Sequence, residues 1–342
     1  MAEAPCISVV ILAHDRRAYV RAAVASAIEQ TLPRDRYEVL VFKNFQEPDL
    51  EPYLAAQGVR VHNYQAAARP QMMRTALHEA RGEIFCFLDD DDMFTRDKLA
   101  SVERTFAADP SLGYLHNGFQ VVDEDGKPFD RTPFPQTEAR VYLPAGDGRT
   151  RRLPTNALRL GFNTSSVSVR RDWLPPFLPS FDHRESEWSD ALLLAAALAS
   201  GRAVLSDPTK LTLYRYHESW TNILHYSPAS IERIAELDRL NIAVLRTIET
   251  FSTGTSLEPL VDDDLTYVHF HQSLFGEGHE WSPHGRDFAR FLIGGLHQRN
   301  FAPLYLIPLH FLSKVSRSGA RRAYFRLADR YRRRSFHAPQ MG

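Results

Sequence analysis

Four consecutive carboxylates, Asp89-Asp90-Asp91-Asp92, follow directly on the apolar run Phe85-Cys86-Phe87-Leu88. An acidic run on a surface loop needs no function, and Asp92 or Thr95 could simply cap a following helix. Here no spacer separates the charges from a stretch that reads as a buried strand. Packing that much like charge against a buried strand end is costly unless a cation balances it. Mg²⁺ or Mn²⁺ suits best, being held by one or two carboxylates and otherwise by water and phosphate oxygens. Such an ion would neutralise charge developing on a phosphate leaving group.

The elements around the tetrad predict how it is positioned. Ile7 to Ala13 is a continuous apolar run ended by His14-Asp15-Arg16, which reads as a buried strand. Val20, Val24, Ala27 and Ile28 fall at helical spacing before Pro33. Tyr37 to Phe42 reads as a second strand and Val59 to His62 as a third, with a short helix over Asp49 to Gln57 stopped by Gly58. Met73, Leu77 and Ala80 stripe a helix ending at Gly82, before a fourth strand, Ile84 to Leu88, and a helix from about Arg96 to Ala107. This alternation predicts an α/β fold, a Rossmann-like, mostly parallel sheet with helices on both faces. Ligands bind such sheets beyond the carboxyl ends of the strands. His14-Asp15, Lys43-Asn44 and the four aspartates are therefore expected to converge on one crevice.

Further along, Gly118 to Val122 reads as a strand entering the turn Asp123-Glu124-Asp125-Gly126, and 127–160 as a long loop. Thr164 to Val169 and Leu211 to Tyr216 read as strands, Asp190 to Gly201 as an apolar helix, and everything from Ile231 onward as helical. The expected division is a catalytic domain over 1–228 and a helical C-terminal extension over 229–342, basic at its end. The 342 residues are 44% hydrophobic, ample for a large core, and a net charge of -1 argues against a wholesale polyanion binder such as a nucleic-acid protein. Cys6 and Cys86 are expected to be free thiols in a reducing, cytoplasmic setting. The opening residues read as neither a signal peptide nor a membrane span.

Taken together, three segments resemble the family 2 glycosyltransferases of the GT-A fold. Ile7-Ser-Val-Val-Ile-Leu-Ala-His-Asp-Arg16 is similar to that family's first strand and turn. Arg81-Gly-Glu-Ile-Phe-Cys-Phe-Leu-Asp-Asp-Asp-Asp92, continuing to Arg96-Asp-Lys-Leu99, resembles its DxD segment, and Tyr214-Arg-Tyr-His-Glu-Ser219 with Thr221 its closing basic pattern. The resemblance spans roughly residues 5 to 225. It implies an inverting transfer of a hexosyl-type sugar from a nucleotide-diphosphate sugar to an acceptor hydroxyl on a glycan, polysaccharide or lipid-linked acceptor.

The resemblance also implies roles. Asp91 and Asp89 fall on the metal, with Asp89 or Asp90 on the ribose; His217 reaches the metal or diphosphate, or is a histidine satisfied at a strand end. Arg215 and Arg74 face the diphosphate, or are surface charges. Inversion needs a carboxylate opposite the leaving group to accept the acceptor's proton. The family's Glu-Asp pair heading a helix aligns with Ser189-Asp190, so Asp190 is the expected base, with Glu187 or Glu185 as substitutes and a helix cap as the bland alternative. The family's usual uracil-reading segment is replaced by Lys43-Asn44-Phe45-Gln46, leaving Ala13, Asp15 and Asn44 as candidate nucleotide contacts. Lys43 could instead pair with Asp89 or Asp90.

Beyond residue 230 the resemblance stops. An apolar stretch from Phe301 to Val315 precedes a basic helix carrying Tyr324, Phe325 and Tyr331. This suits peripheral adsorption to an anionic leaflet at the cytoplasmic face, with a core-packing helix as the alternative. Asp262-Asp-Asp264 and His269-x-His271 are read as solvated surface. Two other functions compete with glycosyl transfer: a degenerate sugar-nucleotide-binding scaffold, and a nucleotidyltransferase, which would want a Gly-rich phosphate loop that residues 13–24 lack.

Overall fold

A computed structural model describes residues 6–14, 17–64, 69–128, 138–182, 189–216, 227–276, 283–297 and 302–337. The apolar runs near the amino end become β1 (Ile7–Ala13), β2 (Tyr37–Lys43) and β4 (Ile84–Asp89), joined by β3 (Arg60–Asn63). β1, β2 and β4 are buried almost throughout, which is why they read as unbroken apolar stretches rather than alternating ones. All three pairings in β3-β2-β1-β4 are parallel, with Ala13 opposite Lys43 and Leu12 opposite Asp89. Chain order reverses at β1, so the ends of β1 and β4 flank a topological switch point.

The intervening helices are α1 (Val20–Ile28), α2 (Leu50–Ala56) and α3 (Arg69–Glu79). Val20, Ala23, Val24 and Ala27 of α1 are buried at the i, i+3, i+4, i+7 spacing of one helix face and join the core beneath the sheet. Past the end of α2, Gly58 adopts φ +64° and its N–H donates to Ala55 O, a left-handed stop that favours glycine.

The sheet continues through β5 (Met93–Phe94), β6 (Leu112–Val122), β7 (Val141–Leu143), β8 (Val167–Arg170) and β9 (Ala203–Arg215), with α4 (Lys98–Ala108) and α5 (Ser189–Ala199) between them. Its order is β3-β2-β1-β4-β8-β6-β9-β5, with β7 also on β9. The strand β8 runs antiparallel to both neighbours, whereas β6 and β9 are parallel. This second half departs from the sequence reading in four places. β6 begins at Leu112 rather than Gly118, and β9 at Ala203 rather than Leu211. Residues Thr164–Ser166 form a 3-10 turn before β8, and β7 lies inside the stretch expected to be loop. Asp207-Pro208-Thr209 looks like a turn in sequence but is absorbed as a bulge opposite Asn117 and Gly118. A Cβ at Gly118 would lie 2.4 Å from Pro208 O, so only glycine fits there.

The chain forms two compact units, Met1–His217 with Thr247–Glu258, and Glu218–Arg246 with Pro259–Gly342. The second is built from α6 (Pro228–Ser252) as far as Arg246, α7 (Glu258–Phe275) from Pro259, α8 (Gly285–His297), α9 (Ala302–Val315) and α10 (Arg317–His337). Its core gathers Phe270, Leu274, Phe275, Leu306, Leu309 and Phe325. Contrary to the solvated-surface reading, His271 is buried. Its Nδ1 donates to the Asp238 carboxylate at 2.8 Å, and its Nε2 lies 2.8 Å from the Tyr324 hydroxyl. Among the described residues no helix is long and apolar enough to cross a membrane.

Candidate functional site

The acidic tetrad sits where β4 leaves the sheet, and its shape is imposed by groups distant in sequence. Asp90 Oδ2 accepts the His14 backbone N–H at 3.1 Å, anchoring the turn to the end of β1. Asp92 Oδ1 accepts the Arg215 N–H at 2.8 Å, anchoring it to the end of β9. Arg215 is itself buried. Its guanidinium donates to Asp91 O at 2.8 Å, Asp123 O at 3.0 Å and Glu124 O at 2.5 Å, and it lies over the Tyr19 ring. The residue read as a phosphate contact therefore clamps the backbone of the acidic loop.

Asp89, Asp91 and Asp92 each offer a carboxylate oxygen, all within 4.8 Å of one another. Burial first, and then the charge of Asp89, push the Asp92 carboxyl up to about 7, with hydrogen bonding from Ser165 and the Arg215 N–H offsetting only part. Asp92 Oδ2 is buried and makes no well-formed hydrogen bond among the described residues. Three convergent carboxylates, one with an orphaned oxygen, fit a hard divalent cation. The sequence expected Asp89 and Asp91 here and offered for Asp92 or Thr95 only the alternative of a helix cap. In the structure α4 starts after Asp97, so Asp92 caps nothing.

A second set of contacts links this loop to Asp190. The Asp89 N–H donates to Ser165 Oγ at 3.0 Å. The preceding residue, Thr164, places Oγ1 3.4 Å from Ser189 Oγ, at the head of α5 and next to Asp190. Asp190 is half-buried and its Oδ1 accepts the Ala191 N–H at 2.9 Å. Its charge, after burial, raises the pKa of the buried Tyr114 hydroxyl, so carboxylate and phenol are neighbours. Ahead of the turn, Asn163 adopts φ 57°, unusual for a non-glycine residue, and its Oδ1 accepts the Ser166 N–H at 2.8 Å. Its amide nitrogen is buried with no partner among the described residues. Sequence reading named neither Ser165 nor Asn163; both lie in a run of small polar residues that resembles any strand entry.

Beneath the loop lies a buried polar chain. Lys98, fully buried, donates Nζ to Asn117 Oδ1; Asn117 Nδ2 donates to Thr212 Oγ1 at 3.0 Å; Thr212 Oγ1 donates to Ser165 O at 3.0 Å. Burial lowers the Lys98 pKa to about 8.

The remaining candidates fall around the same strand ends. Ala13 is buried, its carbonyl accepting the Asn44 N–H at 3.3 Å, and Asn44 is half-buried beside it. Arg74 is half-buried on α3. Lys43 does not pair with Asp89 or Asp90. It is fully buried, and its Nζ bonds Glu51 of α2 and Phe45 O. Asp15, His217, Glu185 and Glu187 lie outside the described residues.

This fold and this loop define a class. Residues 8–174, just under half of the chain, match the family described as Glycosyl transferase family 2. In sequence it is similar to TuaG of Bacillus subtilis (strain 168), a glycosyltransferase assigned by name to teichuronic acid biosynthesis. The two are 26% identical over 137 residues, 37% of this chain and 52% of that one, so the match spans about half of the relative's length. In structure it is similar to S. aureus TarS. The crystal structure of TarS 1-349 with UDP-GlcNAc gives a TM-score of 0.56 at 15% identity, over 96% of this chain and 91% of that one. TarS 1-349 alone gives 0.55 at 16% identity with the same coverage.

Proposed function

We propose that the chain is an inverting glycosyltransferase that moves a hexosyl-type sugar from a nucleotide-diphosphate sugar to an acceptor hydroxyl of a glycan, polysaccharide or lipid-linked acceptor. The observation that carries this reading is the Asp89, Asp91 and Asp92 cluster, at a GT-A strand end and joined by Thr164 and Ser165 to the helix that begins with Ser189-Asp190. The three carboxylates would hold Mn²⁺ or Mg²⁺, which supplies positive charge for the departing diphosphate. Asp190 accepts the proton of the acceptor hydroxyl, its Oδ1 held by the Ala191 N–H. Asn44 and Ala13, at the ends of β2 and β1, and Asp15 are the contacts assigned to the nucleotide. Arg74 and His217 are assigned to the diphosphate, and the Asn163 amide nitrogen to the donor sugar. Arg215 is reassigned from phosphate contact to positioning residue, because its guanidinium is engaged by backbone carbonyls.

The test is calorimetric titration with UDP, GDP and dTDP and their sugar conjugates, with Mn²⁺ and then with EDTA. UDP-sugars come first, since TarS has been crystallised with UDP-GlcNAc. Metal-dependent binding of one donor, followed by release of nucleoside diphosphate with an acceptor, is the expected result. Binding without turnover would identify a scaffold protein, and absence of any binding would overturn the reading.

A further inference from the structure

Among the described residues eight large apolar side chains are exposed, and seven of them lie between positions 292 and 327, on α8, α9 and α10. They are not scattered. On α9, Leu304, Pro308, Phe311, Leu312 and Val315 are all exposed, at intervals of four, three, one and three, which is one helix face. Val315 is 87% exposed, Leu304 67% and Phe311 58%. The opposite face of the same helix carries Leu306 and Leu309 into the core. α9 is thus apolar on both sides, an arrangement water opposes unless something covers the outer one. The patch continues onto α8, where Leu292 and Ile293 are exposed and the Phe288 ring stacks on Phe311 with centroids 5.4 Å apart.

The margin of this patch is basic. Arg286, Lys314, Arg317, Arg322 and Arg326 are exposed, Arg290 is paired with Asp262 at 3.1 Å, and Asp287 is the only acidic residue from 283 to 328. Two copies meeting through the same patch would bring these cations together, so self-association is disfavoured. An anionic surface is complementary. The fourteen residues of α9 span about 21 Å, too short for a bilayer core, so the helix fits in the interface plane.

We propose that the outward faces of α8 and α9 form a membrane-docking surface, with Leu304, Phe311 and Val315 entering the headgroup–acyl boundary of an anionic leaflet and Lys314 and Arg317 meeting its phosphates. Of the apolar stretch and the basic helix that the sequence offered for such a contact, only the former supplies its apolar part, because Phe325 is core and Tyr324 packs on His271. The inference stands on exposure and charge alone and does not depend on glycosyl transfer.

Co-sedimentation of the full chain with phosphatidylglycerol–phosphatidylcholine vesicles and with pure phosphatidylcholine vesicles tests it. Binding to the anionic vesicles is expected to be at least about tenfold tighter and to weaken as salt rises. Leu304→Glu with Val315→Glu should lower it about tenfold, and Lys314→Glu with Arg317→Glu should remove the anionic preference. Both pairs are on exposed positions, and unchanged near-UV circular dichroism will show that they fold. Equal binding to both vesicles, no binding, or binding untouched by the apolar pair overturns the proposal. So does a dimer in sedimentation velocity that the apolar pair dissolves while vesicles take up nothing.

Discussion

The backbone N–H of Asp89 donates to Ser165 Oγ at 3.0 Å across 76 positions of sequence, fixing the first carboxylate of the acidic loop to the turn that also touches the head of α5. Ser165 is wholly buried, so removing its hydroxyl leaves an N–H that neither water nor a neighbour readily serves. Ser165→Ala is expected to cost about 1–3 kcal/mol of stability. It should also weaken metal-dependent donor binding by roughly tenfold, because Asp89 loses its fixed orientation. Urea unfolding and calorimetry on the same preparation check the two parts, and unaltered donor binding would confine Ser165 to stability.

The two carboxylates assigned to different tasks should separate kinetically. Asp91→Asn removes one charge from the cluster and is expected to abolish metal-dependent donor binding. Asp190→Asn should leave donor binding within about twofold and lower transfer by roughly 10²–10⁴. Calorimetry for binding and nucleoside diphosphate release for turnover measure both. Retained transfer in Asp190→Asn would move the base to Glu187 or Glu185.

How much of this could be read from sequence depends on where each constraint originates. β1, β2 and β4 were legible because a strand buried on both faces must be apolar at every position, and Ile7–Ala13 is. The start of β6 was not, since Gly113, His116 and Asn117 are poor strand formers that tertiary contacts bury. The tetrad pointed to a cation, but four equal aspartates in a row cannot say which three converge. That choice belongs to groups far along the chain, the His14 N–H that holds Asp90 and the Arg215 N–H, 123 residues away, that holds Asp92. Similarly, the apolar content of α9 was plain, whereas which of its faces looks outward depends on Phe270 and Leu274 of α7, with which Leu306 and Leu309 share a core.

His116 offers a pH test outside the acidic loop. It is buried between β8 and β9, with Nε2 2.8 Å from Phe162 O, and burial lowers its pKa from 6.5 to about 4. The native state thus holds it neutral while the unfolded chain protonates it. Its contribution to stability is complete above pH 6.5 and falls as pH drops from 6.5 towards 4, by about 3 kcal/mol at most. Because Asp92 titrates with the opposite sign over much of that window, the comparison must be a difference. The loss between pH 7 and pH 4.5 should be smaller in His116→Gln than in the parent, measured by urea midpoints. Identical losses would show that His116 is not held neutral.

Asp92 should reveal what the loop is built for, through a conflict between stability and binding. With burial and Asp89 holding its carboxyl near 7, the metal-free native state at pH 8 must keep a buried, ionised group, whereas the unfolded chain ionises it readily. A raised acid pKa stabilises fully below the unfolded value of 3.8 and not above the folded one, so at pH 8 the full penalty is present. Asp92→Asn removes the charge and keeps an Oδ1 able to accept the Arg215 N–H. In EDTA at pH 8 the variant is therefore expected to be more stable than the parent, by about 1–3 kcal/mol. Saturating Mn²⁺ should raise the parent's melting temperature and leave the variant's nearly unchanged, because only the parent keeps all three carboxylates. Thermal unfolding of both proteins, with EDTA and with Mn²⁺, gives the four values needed. A variant less stable than the parent in EDTA would mean that Asp92 is held by bonds worth more than its desolvation, and that the cluster is a structural turn rather than a site strained to receive a cation.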